Sequence, residues 1–400
     1  MKKTISIVFP LLLVLYELAA YLSNDMYLPA LPQLMQDFRV SYSSAQSTLT
    51  SWFLGSAAMQ LFLGPLSDRF GRRPILLWGG ALFIFATLLC AITTQINVFI
   101  VARFLQGCAI CSLVVAGYAS IHELLDHTHA IRTLGWMSNI TVLAPAFGPL
   151  LGGFILSFVH WKFIFYSQAL WSSMTIALLW KFMPESNPYG KQHPIHFSTL
   201  CKNYLAIFRN RTYLLNTLSF CLLFSGMISW IVAGPFLVIN EFKYSVLMFG
   251  IFQACIFCCF ILGTRILSIL LNYFAVKKII TIGLSIMLLG ALTSVPLAIF
   301  MPHFLIGLII SIAIFATGSG LIFSPLNRSA MEACEEPMGA RVAIFSLLMG
   351  VFGVLGSVLV TIFYNKSILS EALIIATFGG IASFIQWKLK QNYNSTVQKT

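Results

Sequence analysis

Apolar runs of twenty or more residues, joined by short polar connections, fill almost the whole chain. Twelve runs fall at approximately 5–28, 47–66, 74–94, 97–121, 133–157, 162–183, 213–239, 246–270, 278–300, 303–327, 341–364 and 367–387. Each is near the ~20 residues that a helix needs to cross about 30 Å of hydrocarbon. The pattern predicts an all-α membrane protein of twelve transmembrane helices. One connection is long, "PESNPYGKQHPIHFSTLCKNYLAIFRNR", and it divides the spans six and six. The predicted organisation is an N-terminal six-helix bundle over 1–183, a cytoplasmic central loop over 184–211 and a C-terminal six-helix bundle over 212–400.

Composition sharpens this reading. Of 400 residues, 58% are hydrophobic and 9% charged, against roughly 25% charged in soluble domains. The net charge of +12 does not point to nucleic acid, because the basic residues sit in short runs between apolar segments. With the N-terminus cytoplasmic, the outer side holds only Arg39, Lys162, Lys243 and Lys366, and nearly all other Lys and Arg fall inside. That bias predicts both termini in the cytoplasm. The start, "MKKTISIVFPLLLVLYELAA", has the layout of a secretory leader, but its apolar run continues to about Leu28. The expectation is an uncleaved first span. Most of the nine cysteines lie inside spans, and the Cys108–Cys111 pair has no second pair or His beside it. No metal site or disulfide framework is expected.

The halves echo one another. "DFRVS" from Asp37 and "EFKYS" from Glu241 each follow the first span of their half, and Arg72–Arg73 has a counterpart in Lys277–Lys278. Two related six-helix halves imply a transporter that rocks one half against the other around a central site.

The first span carries two carboxylates, Glu17 and Asp25, in "LYELAAYLSNDM". An acid in the bilayer costs about 2.5–3.5 kcal/mol or more, so it marks a functional position by default. Eight helical residues advance about 12 Å and rotate to about 80° from the start. Glu17, Tyr21, Asn24 and Asp25 therefore form one polar stripe, with Glu17 near mid-membrane and Asp25 nearer the outer face. Arg103, near the start of the fourth span, lies at the depth of Asp25 and is expected to pair with it. Neutralisation of each carboxylate by a proton or by a cation would make both acids exchange sites. The amides Asn24 and Asn139 and the aromatics Tyr21, Trp52, Phe53 and Trp230 are candidate substrate contacts.

Between spans 2 and 3 stands "GPLSDRFGRRP", Gly64 to Pro74. Its glycines, Gly64 and Gly71, are expected to permit a tight turn and close helix approach. Arg69, Arg72 and Arg73 hold the loop in the cytoplasm. Asp68 is expected to pair with a nearby Arg or with the N-terminal end of another helix, such as span 11 near Arg341. In "APAFGPLLGG", Ala144, Gly148 and Gly152 recur every four residues on one helix face, so another backbone can come close. Pro145 and Pro149 make that helix bendable.

These motifs, with "RFLQG" from Arg103, resemble the major facilitator superfamily. "NDMYLPALP" and the Glu17–Asp25 spacing are similar to its twelve-span drug/proton antiporters, most of all the MdfA-type multidrug antiporters. The resemblance covers about the first 190 residues. It implies that the fifth-span motif favours exchange, that Leu49, Ile110, Met137 and Thr141 contact substrate, and that protons are the coupling ion with no other cofactor. The implied function is proton-coupled export of bulky lipophilic compounds, cationic and neutral, by a monomer in lipid of the bacterial inner membrane. The partners are then small lipophilic substrates and protons. One alternative is a dedicated exporter of an endogenous metabolite such as a siderophore. Another is a non-transporting membrane sensor or scaffold. No nucleotide loop, metal cluster or nucleophile–base pair suggests an enzyme.

Overall fold

The computed structural model describes residues 2–125, 127–186 and 197–397. The chain separates into two compact units, Met1–His196 and Phe197–Thr400. In the first, α1 (Lys2–Asp25) leads through a short turn into α2 (Leu31–Asp37). There follow α3 (Tyr42–Phe70), α4 (Arg72–Ile92), α5 (Ile96–Ser112), α6 (Tyr118–Leu124), α7 (His127–Leu156) and α8 (Lys162–Phe182). A π-helical turn, Leu113–Gly117, joins α5 to α6 within one span. The second unit holds α9 (Phe197–Arg209), α10 (Arg211–Pro235), α11 (Val246–Leu270), α12 (Val276–Phe300), α13 (Leu305–Glu332), α14 (Met338–Phe363) and α15 (Ile368–Val397). Among the described residues, ten helices are long and apolar enough to cross a membrane. The remaining two long helices are α7 and the hydroxyl-rich α3, of 30 and 29 residues. A helix satisfies its own backbone polar groups, which hydrocarbon demands.

The faint sequence echo is a structural repeat. Arg39 and Lys243 each take a left-handed backbone, with φ of 54° and 58°. Two residues later Ser41 and Ser245 cap the next helix, their hydroxyls accepting from the amides of Ser44 and Met248. Packing repeats as well. In the first unit α3 and α4 pack on α5, α4 on α8, and α1 on α7 and α8. In the second, α11 and α12 pack on α13, α12 on α15, and α10 on α14 and α15. The α3–α5 crossing rests on Gly55 and Gly107, where an added Cβ would lie 2.1 and 2.0 Å from the carbonyls of Phe104 and Trp52. Gly263 and Gly320 do the same for α11 and α13. Such reciprocal glycines let two backbones touch.

The region expected as a loop over 184–211 contains a helix, α9. Tyr204, Ile207 and Phe208 recur at helical spacing, too briefly to span a membrane. Ile207 is buried, while Leu205 and Phe208 are exposed beside Lys202 and Arg209, the pattern of a helix lying along a membrane surface. Residues 187–196 of that region lie outside the described residues.

Candidate functional site: buried carboxylates of the first unit

Glu17 is fully buried. Its Oε1 accepts a hydrogen bond from the Tyr118 hydroxyl at 2.7 Å, and its Oε2 has no hydrogen-bond partner among the described residues. Tyr118 follows the π-helical turn directly. One extra residue in that turn shifts every later side chain around the helix. Tyr118 faces α1 from the far side of this turn. Tyr21 lies half-buried one turn beyond Glu17, within electrostatic reach of Glu17 and Asp25.

Asp25 is buried at the end of α1. Arg103 does not form the expected ion pair with it. The Nη2 of Arg103 donates to Asn24 Oδ1 at 2.5 Å, and Asn24 Nδ2 donates to Asp25 Oδ1 at 3.3 Å. The amide of Asn24 therefore stands between cation and anion. Arg103 also donates from Nη1 to Gln106 at 2.7 Å and lies 4.4 Å from the centroid of the Tyr27 ring. Gln106 donates to the Thr87 hydroxyl, also at 2.7 Å. A fully buried guanidinium costs several kcal/mol unless its charge is compensated. Here compensation is spread over two amides and an aromatic face, the last worth about 2 kcal/mol when desolvated.

Packing fixes this cluster from α7. A Cβ on Gly148 would lie 2.6 Å from the Cβ of Asp25, and one on Gly152 would lie 1.8 Å from the carbonyl oxygen of Met26. The backbone expected to approach the Ala144–Gly148–Gly152 face is thus the end of α1. Ala144 is buried with it, and α7 runs unbroken through Pro145 and Pro149. Tyr27 reaches α3, its hydroxyl 2.9 Å from that of Thr48.

Other candidates scatter. Trp52 and Phe53 are buried and meet edge to face at 5.2 Å. Leu49, Ile110 and Met137 are buried in the first unit. Trp230 is fully buried in the second, where its indole N–H donates to Gln253 at 2.7 Å and ties α10 to α11. The side chains of Asn139 and Thr141 lie outside the described residues. An open cavity of about 270 Å³ in the second unit, which the sequence did not reveal, is lined by Phe220, Phe323, Ser324 and Asn327. Phe220 and Phe323 have ring centroids 4.3 Å apart, and Phe345 and Phe260 extend the cluster.

The loop after α3 has a defined chemistry. Gly71 adopts φ 97°, a left-handed-side backbone that favours glycine, and starts α4. Glu185, at the far end of the first unit's sequence, accepts from the amides of Arg72 and Arg73 at 2.9 and 3.2 Å. A carboxylate there satisfies orphan N–H groups and complements the helix dipole. Asp68 pairs with Arg72 at 2.6 Å, and Arg72 also pairs with Glu123 at 3.0 Å. Arg73 donates to the Trp180 carbonyl, and Arg69 is exposed. Gly64 departs from expectation. It lies inside α3, not at the turn, and an added Cβ would meet nothing within 4 Å.

Glu185→Ala removes the cap, at a cost of about 0.5–2 kcal/mol. The expected result is a fall of the order of 2–4 °C in the melting temperature of the detergent-solubilised protein, with Glu185→Gln retaining part of the stability. An unchanged midpoint for the alanine variant would remove Glu185 from the loop's support.

The Major Facilitator Superfamily profile matches residues 13–359. The chain belongs to the major facilitator superfamily. It is therefore a multi-pass membrane transporter and not an enzyme. It is 34% identical over 344 residues to the chloramphenicol resistance protein CraA of Acinetobacter baumannii, covering 86% of this chain and 83% of that protein. It is 29% identical over 359 residues to the multidrug transporter MdfA of Yersinia pestis, covering 90% and 88%. The structure of a D-xylose–proton symporter superposes with a TM-score of 0.79 at 16% identity, covering 95% of this chain and 97% of that one. At that identity the superposition speaks to the superfamily fold alone.

Proposed function

We propose that this superfamily member exports bulky lipophilic compounds, cationic and neutral, in exchange for protons by alternating access. In this reading both termini are cytoplasmic, the membrane is the bacterial inner membrane and the working form is a monomer. The observation that carries it is the pair of buried carboxylates on α1, Glu17 and Asp25, neither directly paired with a cation among the described residues. Each site holds either a proton or the positive charge of a substrate, so occupancy by one displaces the other. Similarity to proteins named for multidrug transport and chloramphenicol resistance points to drug-like substrates. The aromatic cavity of the second unit offers an apolar contact surface for them.

Asp25 with its Asn24–Arg103 relay serves proton exchange in this scheme. Glu17 with Tyr118 serves charge selection. A carboxylate in low dielectric attracts a lipophilic cation strongly and gives a neutral drug little. Glu17→Gln is thus expected to lower export of a cation about tenfold, the equivalent of ~1.4 kcal/mol, with a smaller loss for a neutral compound. Adding Tyr21→Glu, about 6 Å along the same face, is expected to restore part of the cation export. The measurement is efflux of one cationic and one neutral substrate from reconstituted vesicles, with and without a pH gradient. Equal losses for both substrates would remove Glu17 from charge selection. Efflux indifferent to the gradient in the wild type would reject proton exchange altogether.

A further inference from the structure

The second unit carries a membrane-embedded carboxylate of its own. Glu371, in the first turn of α15, is 1% exposed. Its Oε1 lies 2.7 Å from the Ser229 hydroxyl of α10, and its Oε2 is buried with no hydrogen-bond partner among the described residues. Ser229 occupies a particular place in the repeat. When Asp37 is laid on Glu241, Asp25 falls on Ser229. The second unit therefore has a hydroxyl where the first has its acid, and the last helix brings a carboxyl group to that hydroxyl.

Proton counting at Ser229 distinguishes two states. The hydroxyl also lies 2.9 Å from the carbonyl oxygen of Gly226. It has one hydrogen and cannot donate to both acceptors. With Glu371 protonated, the carboxyl O–H donates to Ser229 Oγ and the Ser229 hydroxyl donates to Gly226. With Glu371 ionised, the Ser229 hydroxyl turns to Oε1 and the buried Oε2 remains empty. Both arrangements use the same heavy-atom positions.

Among the described residues, no charged side chain holds Glu371 in either state. Among the described residues, the charges on its packing partners are Arg211 on α10, Lys277 and Lys278 on α12, Arg328 and Glu332 on α13, and Arg341 on α14. All stand at the ends of those helices away from the first turn of α15, since α10 meets it at Ser229 and α12 at Ser294. On α10 the titratable Cys221 and Tyr213 lie about 12 and 24 Å from Ser229 along the axis. On α15 itself Lys388 and Lys390 lie near the opposite end, and Lys366, just before the helix, is exposed. The first turn of a helix favours negative charge while burial opposes it. A metal cation would need several more oxygens than the carboxyl and hydroxyl present.

We propose that Glu371 and Ser229 form a proton-binding site in the C-terminal unit, with the Ser229 hydroxyl exchanging its acceptor as the proton arrives. This goes beyond the exporter reading and is tested without transport. The purified, lipid-reconstituted protein is titrated with acid and base while the infrared C=O band of protonated carboxyl groups is followed. Wild type is expected to show several titrating components, one of which disappears in Glu371→Gln while those of Glu17 and Asp25 remain. In Ser229→Ala, which removes the hydroxyl partner and one small polar group only, the Glu371 component is expected to persist at a shifted frequency and midpoint. A Glu371 band that is present at every pH marks a permanently protonated structural tie and overturns the proposal. So does a titration that Glu371→Gln leaves unchanged. Should Glu371→Gln not fold, a Ser229→Ala titration in which no component moves overturns it independently.

Discussion

Gly152→Ala is expected to reduce transport to under about a tenth of wild type, although it adds a single methyl group. Alanine in place of glycine ordinarily stabilises a helix interior by about 1 kcal/mol. A loss must therefore come from the contact, and the contact leaves no room. The new carbon would lie 1.8 Å from the Met26 carbonyl oxygen, which is backbone and cannot swing aside. Either α1 or α7 must move, and overpacking of this kind costs about 1–3 kcal/mol or more. The movement falls on the residue after Asp25, so the relay to Arg103 is displaced with it. Gly64→Ala is the matched control, since its methyl meets nothing within 4 Å. The two variants are compared by melting temperature of the purified protein, and Gly152→Ala additionally by vesicle efflux. Gly152→Ala with wild-type stability and transport would show that the close approach of α1 to α7 has no functional weight. A melting temperature lowered as much by Gly64→Ala would show that the two glycines do not differ as their surroundings require.

Features written in local chemistry were legible in the sequence. Spans follow from runs of apolar residues, and the turn between α3 and α4 from glycine and charge. The "DFRVS" and "EFKYS" echo holds because each segment must supply one left-handed residue and then a serine cap. The polar stripe of α1 was legible because regular helix geometry carries Glu17 to Asp25. What escaped depends mainly on partners distant in the chain. Tyr118 reaches Glu17 from about a hundred residues further along the chain, and nothing in its own segment points to that acid. Glu185 caps a helix more than a hundred residues away, and its own segment resembles any polar loop. Glu371 stands near the start of its span, where acids are common, and its burial comes from α10 and α12, which no local pattern announces. The α9 helix, of thirteen residues, is too short to cross a bilayer and is amphipathic, so its sequence resembles a polar connection.

The second large effect concerns the amide between Arg103 and Asp25. Depth along the helices puts the cation and the anion at one level, yet side-chain geometry places Asn24 between them. A direct ion pair and a relay make opposite demands on Asn24. If Arg103 reached Asp25 by itself, Asn24→Leu would remove a bystander of similar size. In the relay, the same change deprives Nη2 of its acceptor and Asp25 of its donor in a buried place. Leaving a buried charged partner uncompensated costs about 3–5 kcal/mol, equivalent to more than a hundredfold in an equilibrium. Asn24→Leu is therefore expected to abolish pH-driven efflux as completely as Asp25→Asn, which keeps the shape of the site and removes its titration. Arg103→Gln is expected to join them. Once the relay is cut at one point, a second cut adds little, so Asn24→Leu combined with Arg103→Gln should be far less damaging than the product of the single effects. The measurement is drug efflux driven by a pH gradient in vesicles, with insertion and folding checked for each variant. Near-normal efflux by Asn24→Leu, or simple multiplication of the two single losses, would exclude the relay and return Arg103 to a direct or purely structural role.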